Sequence, residues 1–443
     1  MSLLPTRQNR TQYEQFQNVL EQRAHNVTAA TLSSGFTSAQ LDRHSEVIWW
    51  WENSAGILEI LMKEANYDIE RQCHVLDFHR RYVVPRLGPV PSSTAALKWR
   101  SLMTDDYGPM EFSWDWPTAQ GNPKVRYSME AIGRFAGSAI DPVNQTSTVE
   151  LRHELANYDP RTDWTLFDTL QDSFYDKRRG FQSKNESDKA SSPTSVMMAF
   201  ELGPEIANKA YFFPLNAEQR GITRLEFLKE TMAQLRTDEI LLSGFDRLLD
   251  FLRTPQGLIC DIICLAIDCV RPEKSRYKIY VRSSETSFER VWDMMTMGGR
   301  LEGLKSTARA NLKDLWRLTL GLDEHFDENA ALPSKTHDTA GVLYYYDIKA
   351  GHEAPRPKVY VPVRHYAASD QNIVNGLGKY LGSRGVDGHF ANFTRALKAT
   401  CSHRRLDEGA GFQTYVGCGI ERDGSLKLCS YMNPEIYHPN RWV

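Results

Sequence analysis

The segment Arg276-Tyr-Lys-Ile-Tyr-Val-Arg282 decides the fold. Side chains along a strand alternate faces with period two, so Arg276, Lys278 and Tyr280 share one face. The run Asp261–Val270 precedes it, across the turn Arg271-Pro-Glu-Lys-Ser275, and the two read as a hairpin. Four more pairs have this form. They are Met110–Trp116 with Lys124–Glu130, Ser195–Leu202 with Lys209–Pro214, Gly341–Ile348 with Lys358–Val363, and Phe412–Glu421 with Lys427–Met432. The last pair turns at Asp423-Gly424, a strong hairpin signal. Helical patterns fill the intervals: Leu41–Tyr67, Gln72–Val84, Trp164–Arg178, Arg224–Leu252, Ser287–Leu320 and Asn372–Ala399.

The second strand of every pair carries a cation on one face, and four of the five add a tyrosine there. Lys358 goes with Tyr360, Lys209 with Tyr211, and Lys427 with Cys429 and Tyr431; Arg126 goes with Ser128. Charges buried beneath helices would be costly, whereas a wet interior accepts them. Five hairpins closed on themselves leave no exposed edge. A ten-stranded antiparallel barrel ringed by helices is wider than the eight-stranded kind that side chains just fill, so it has room for a ligand chamber. The expected class is α+β, with 1–35 as an N-terminal arm and 36–443 as one barrel domain.

Composition narrows the function. At roughly 150 residues per domain, a 443-residue chain would hold about three domains; one large closed barrel explains the length without linkers. Lys and Arg total 53 against 56 Asp and Glu, a net charge of −3, which argues against a general nucleic-acid binder. No stretch has the ~20 apolar residues of a membrane helix. The polar start MSLLPTRQNRTQYEQ lacks a signal-peptide core, so a cytoplasmic location is expected. Seven cysteines without Cys-x-x-Cys read as free thiols in a reducing compartment. The glycine-rich nucleotide loops and His-Glu-x-x-His are missing. Asp105-Asp106 is the one acidic doublet near a candidate site; it reads as a turn rather than as a magnesium motif.

An interior lined by Arg126, Lys209, Arg276, Lys278 and Lys358 suits a multiply charged anion such as a diphosphate. Tyrosine ring faces nearby can shelter a cation. An anion site beside a cation shelter points to one chemistry, a diphosphate leaving an allylic carbon.

The ordered motifs carry this further. Leu87-Gly-Pro-Val-Pro91, Trp99-Arg-Ser-Leu-Met-Thr-Asp-Asp106 and Pro109-Met-Glu-Phe-Ser-Trp-Asp-Trp116 come first. Val125-Arg-Tyr-Ser-Met-Glu-Ala-Ile-Gly133, Asp141-Pro-Val-Asn144 and Lys209-Ala-Tyr-Phe-Phe-Pro214 follow. Then come Pro357-Lys-Val-Tyr-Val-Pro362, His365-Tyr366, Gln413-Thr-Tyr415 and Ser430-Tyr-Met-Asn-Pro434. From about Trp49 to the C-terminus the chain resembles the fungal dimethylallyltryptophan-synthase-type aromatic prenyltransferases. The resemblance implies the ten-stranded barrel of α-β-β-α repeats. It also implies dimethylallyl diphosphate as co-substrate, an aromatic small-molecule acceptor and no required metal. Neither nucleic acid nor membrane is expected as a partner, and there is room for a homodimer.

The resemblance also implies roles. Glu111 would accept the indole N–H hydrogen bond and raise ring electron density. Arg126, Lys209, Arg276, Lys278 and Lys358 would bind diphosphate. Tyr211, Tyr280, Tyr360 and Tyr431, with Tyr415 as a weaker candidate, would shield the cation. Met110 would join Glu111 in the acceptor pocket. Ser195–Leu202 lacks the lysine of members that prenylate tryptophan at C4. The expected acceptor is therefore a tryptophan-containing cyclic dipeptide or related indole alkaloid. The alternatives are a phenol (a tyrosine derivative or xanthone) and free tryptophan.

Overall fold

The computed structural model describes residues 38–91, 97–118, 121–180 and 192–441. The arm expected over 1–35 lies outside the described residues. Ten strands form the sheet: β1 Met110–Asp115, β2 Lys124–Met129, β3 Val196–Leu202, β4 Ile206–Phe212 and β5 Cys260–Asp268. They continue with β6 Arg276–Ser283, β7 Val342–Lys349, β8 Arg356–Val361, β9 Gln413–Ile420 and β10 Leu426–Met432. Neighbours in sequence are neighbours in the sheet, and β1 pairs antiparallel with β10 to close the barrel. All five expected hairpins are present.

Period-two alternation builds the wall. In β7, Val342, Tyr344, Tyr346 and Ile348 are fully buried on the outer face, while Leu343, Tyr345, Asp347 and Lys349 alternate with them. In β1, Phe112 and Trp114 point outward while Ser113 and Asp115 lie on the other face. The outer faces meet the helices in one continuous apolar cluster. Helix Ser306–Leu320 contributes Leu312, Leu315 and Trp316, all fully or nearly fully buried. Each such side chain is worth about 1.5–3 kcal/mol of burial. Helix Asp370–Gly382 packs so closely on it that a Cβ on Gly376 would lie 1.9 Å from the Leu318 carbonyl oxygen.

Helix boundaries depart from expectation where backbone chemistry interrupts the pattern. The stretch Ser287–Leu320 is two helices, Phe288–Thr296 and Ser306–Leu320, because Met297, Gly298 and Gly299 take left-handed conformations. Gly385, also left-handed, separates Asp370–Gly382 from Phe390–Thr400. Arg224–Leu252 divides into Arg224–Gln234 and Ser243–Leu252. Helix Thr146–Tyr158 lies where no helix was expected. Its apolar stripe is short, with Leu151 and Leu155 the large buried side chains.

All seven cysteines are free. No described helix is long and apolar enough to cross a membrane.

Candidate active site

The inward face of the barrel gathers the expected cations. Arg126, Lys209, Arg276, Lys278 and Lys358 line one cavity together with Tyr211, Tyr280, Tyr360 and Tyr431. Carboxylates from the first strands of four of the five hairpins, Asp115, Glu201, Asp268 and Asp347, accompany them. Arg126 Nη2 lies 2.5 Å from Asp115 Oδ2 and its Nε 3.4 Å from Glu201 Oε2. Lys209 Nζ sits 2.7 Å from Glu201. Asp268 receives both Arg276 Nε, at 2.5 Å, and Lys278 Nζ, at 2.9 Å. These carboxylates are missing from the sequence reading. The same alternation applied to the first strands would have found them, since Glu111, Ser113 and Asp115 share a face.

Burial and pairing compete here. Burial alone would raise the Asp268 carboxyl, but Lys278 and Arg276 outweigh it and hold it well below the ordinary range. At Glu201, Arg126 and Lys209 likewise outweigh burial. Burial brings the Lys278 ammonium down to about 8 against the pull of Asp268. Asp347 stays raised by burial despite Lys278 and Arg276.

Lys358 differs from the other four: among the described residues no carboxylate lies within 4 Å of it. Its Nζ lies 5.2, 5.5 and 5.8 Å from the ring centres of Tyr360, Tyr431 and Tyr345, and donates to Tyr431 Oη at 3.3 Å. Burial lowers its ammonium below the usual lysine value. The rings solvate the charge with their negative faces. Gly417 makes room for it, since a Cβ there would lie 2.8 Å from Lys358 Cε.

The tyrosines form a contiguous layer. Ring centres are 5.8 Å apart for Tyr211–Tyr280, 6.0 Å for Tyr280–Tyr360 and 5.2 Å for Tyr360–Tyr431. Tyr345 belongs to the layer too, 5.2 Å from Tyr280, although the sequence reading omitted it. Tyr415 stacks edge-on to Tyr360 at 5.8 Å, and its hydroxyl accepts from Arg364 Nη2 at 3.1 Å.

Glu111 stands beyond this layer. Thr414 Oγ1 donates to Glu111 Oε1 at 2.7 Å. Burial pushes the Glu111 carboxyl up to about 7, against the lowering effects of the Thr414 bond and of Arg364. A bulge makes the Thr414 contact. Ser430 pairs with Val416 but Met432 with Gln413, so both Thr414 and Tyr415 oppose Tyr431.

The structure does not bring Met110 to this chamber. Met110 lies on the outer face of β1, fully buried in the main apolar cluster with Phe112 and Trp114, because it is one residue out of phase with Glu111. Lys427 is exposed at the start of β10. Asp105-Asp106 forms the expected turn, with Asp106 Oδ1 accepting from Thr104 Oγ1 at 2.7 Å.

Among the described residues, two clusters hold metal-ligand atoms within 4.8 Å of one another: Asp105, His337 and His365, and Cys401, His403 and Glu435. Each already contains a guanidinium. Arg364 Nη1 is 3.2 Å from Asp105, and its Nε donates to His365 Nε2 at 3.2 Å. Arg404 Nε and Nη2 each lie 2.8 Å from a Glu435 oxygen. These arginines supply the positive charge that a metal would bring.

Comparison with known proteins gives consistent matches. The family described as tryptophan dimethylallyltransferase matches residues 47–396. The prenyltransferase anuH of Penicillium roqueforti (strain FM164) is 34% identical over 430 residues, covering 94% of each chain. The 4-O-dimethylallyl-L-tyrosine synthase of Claviceps purpurea (strain 20.1) is 34% identical over 409 residues, covering 90% of this chain and 91% of its own. The crystal structure of AnaPT from Neosartorya fischeri superposes with a TM-score of 0.75 at 27% identity, covering 88% of this chain and 94% of that one.

Proposed function

Since the chain belongs to the tryptophan dimethylallyltransferase family and is an aromatic prenyltransferase, we propose that it transfers a dimethylallyl group from dimethylallyl diphosphate to a hydroxylated aromatic ring. Arg126, Lys209, Arg276, Lys278 and Lys358 hold the diphosphate oxygens. As the allylic C–O bond breaks, these cations stabilise the departing charge, and Tyr211, Tyr280, Tyr360, Tyr431 and Tyr415 shield the carbocation from water. The acceptor lies on the Glu111 side of the tyrosine layer. A bond forms between the allylic carbon and the phenolic oxygen or a ring carbon, and Glu111 takes the phenolic proton; after attack at carbon, the C–H proton at that position leaves and the oxygen regains one, which restores the aromatic phenol. No metal is required on this reading.

The observation that carries the proposal is the placement of Glu111, a buried carboxyl titrating at about 7, beyond a tyrosine layer that faces five cations. A base near neutrality is well matched to a phenolic O–H, whose pKa is about 10. The relative named for a tyrosine ether supports the same order. An indole acceptor, such as a tryptophan-containing cyclic dipeptide or related alkaloid, is the second reading. The family's own description favours it, and Glu111 would then accept the N–H hydrogen bond.

Incubation with dimethylallyl diphosphate, EDTA and matched phenol and indole panels tests the proposal. Phenols gaining a prenyl group with release of diphosphate is the expected result. Transfer to indoles alone would reverse the order of the two readings. No transfer to any acceptor, alongside an active relative, would remove both.

A further inference from the structure

The four carboxylates beside the anion cavity are not alike. Asp115, Glu201 and Asp268 each have a cation within 2.9 Å. The one ion-pair contact of Asp347 among the described residues is Arg276, whose Nη1 is 3.9 Å from Oδ2, beyond hydrogen-bond range. The Asp347 Oδ1 is buried with no hydrogen-bond partner among the described residues.

Asp347 lies on β7 in phase with Tyr345, and it pairs in register with Lys278 on β6 and Arg356 on β8. Asp268 already claims Arg276 and Lys278, at 2.5 and 2.9 Å. Arg356 is exposed and makes no ion pair with Asp347 among the described residues. Lys349 and Asp268 complete the charged groups that act on the carboxyl. Burial prevails over these cations and keeps Asp347 raised, whereas Asp268, facing the same two cations, is held well below the ordinary range. Carboxyls pushed apart in this way suit different parts, one a fixed counter-charge and the other a proton donor. An ionised Asp347 would repel an arriving diphosphate; a protonated one offers it an O–H.

We propose that Asp347 is the acid that protonates the departing diphosphate. Arg276 and Lys278 line the cavity and hold the diphosphate beside this carboxyl, whose O–H donates to a phosphate oxygen. As the allylic C–O bond breaks, its electron pair goes to the diphosphate, and the Asp347 proton moves to a diphosphate oxygen. Arg276 and Lys278 hold the carboxylate left behind, which takes a proton from solvent once the protonated diphosphate has gone. The step rests on the prenyl-transfer reading for the donor and holds for a phenol or an indole acceptor alike.

Two measurements on the full chain test the assignment. Inorganic pyrophosphate binding is followed by calorimetry over a pH series, in buffers of differing ionisation heat. The wild type should take up more protons on binding than Asp347→Asn, whose amide does not titrate. Single turnovers are then compared for dimethylallyl methylenebisphosphonate and its difluoromethylene counterpart, which has the less basic leaving group. Asp347→Asn should slow the methylene donor about 10²-fold and the difluoromethylene donor several-fold less. It should also remove a decline of kcat at high pH, and Asp347→Glu should keep part of the rate. Equal proton uptake in wild type and Asp347→Asn, or equal slowing of the two donors, would overturn the assignment. A decline that survives in Asp347→Asn belongs to another group, such as Lys278, and overturns it as well. If Asp347→Asn does not fold, Asp347→Glu decides: a shifted decline supports the acid and an unmoved one overturns it. Extra proton uptake with no transfer from dimethylallyl diphosphate keeps Asp347 as a proton carrier at the anion site and removes the prenyl-transfer reading.

Discussion

Thr414 Oγ1 reaches across β10 to donate a 2.7 Å hydrogen bond to Glu111 Oε1, from a bulge in β9 to the first inward-facing residue of β1. This bond favours the ionised carboxylate and partly offsets the burial that raises Glu111 to about 7. It therefore sets the pH at which the base becomes available.

The rate of transfer should rise with pH through about 7, as Glu111 ionises. Thr414→Val removes a stabiliser of the charged form, so the acid limb of kcat/KM should move to higher pH. Glu111→Gln should lose most turnover, about 10²-fold or more, while still binding diphosphate. Stability runs the opposite way. A carboxyl raised in the fold contributes stability below its unfolded value near 4.5 and loses it as pH rises through about 7. Glu111→Gln should thus be more heat-stable than wild type at pH 8 and gain little at pH 5. A pH–rate profile unmoved by Thr414→Val would separate the bond from the base.

Lys358 keeps a charge without a carboxylate in a cage of three tyrosine rings. Lys358→Gln should weaken inorganic pyrophosphate binding about ten- to hundredfold by calorimetry. The same change should raise the melting temperature of the free protein, because it removes a buried, unpaired ammonium. The folded-state pKa of Lys358 is depressed, so the wild type should recover stability relative to the variant as pH climbs toward the ordinary lysine value of about 10. Unchanged pyrophosphate affinity would take Lys358 out of the anion site.

Asp268 neutralises Arg276 and Lys278 at 2.5 and 2.9 Å. Asp268→Asn strands Lys278 and leaves Arg276 only the more distant Asp347, at 3.9 Å, at a cost of about 3 kcal/mol for a largely buried pair. The free variant should melt several degrees lower than wild type, and pyrophosphate should restore more than it adds to wild type. In the wild type this ion pair is present above the ordinary carboxylate value and is lost as pH falls toward the depressed one. Thermal scans with and without pyrophosphate check both statements; equal ligand-induced gains would show that the carboxylate does not stand in for the anion.

Much of this architecture is legible in the sequence because period two is a strict rule. Tyr280 and Lys278 announce their shared face, and so do Tyr360 and Lys358. Met110 went astray by that same rule: one step from Glu111 puts it among Phe112 and Trp114. The bulge at Thr414–Tyr415 breaks the rule, and only the register of β9 against β10 reveals it. Helices were less legible. Burial runs from Met294 to Met297 and stops at the exposed Gly298 and Gly299, where the backbone itself turns away. Arg364 comes from the short helix Val363–Tyr366, outside any strand, so no alternation pointed to it.

The ion pairs of the chamber also follow the order of synthesis. Asp115 with Arg126, Glu201 with Lys209, and Asp268 with Lys278 each join the two strands of one hairpin. Each of these three hairpins therefore leaves the ribosome carrying its own counter-charge, and these cations need not wait for the rest of the chain. The seam is different, because Phe112 finds Met432 only after all the strands between them have been made. Until then the nascent protein has a first strand open along one edge and no enclosed interior. The growing chain can store its charges safely long before it can trap a carbocation.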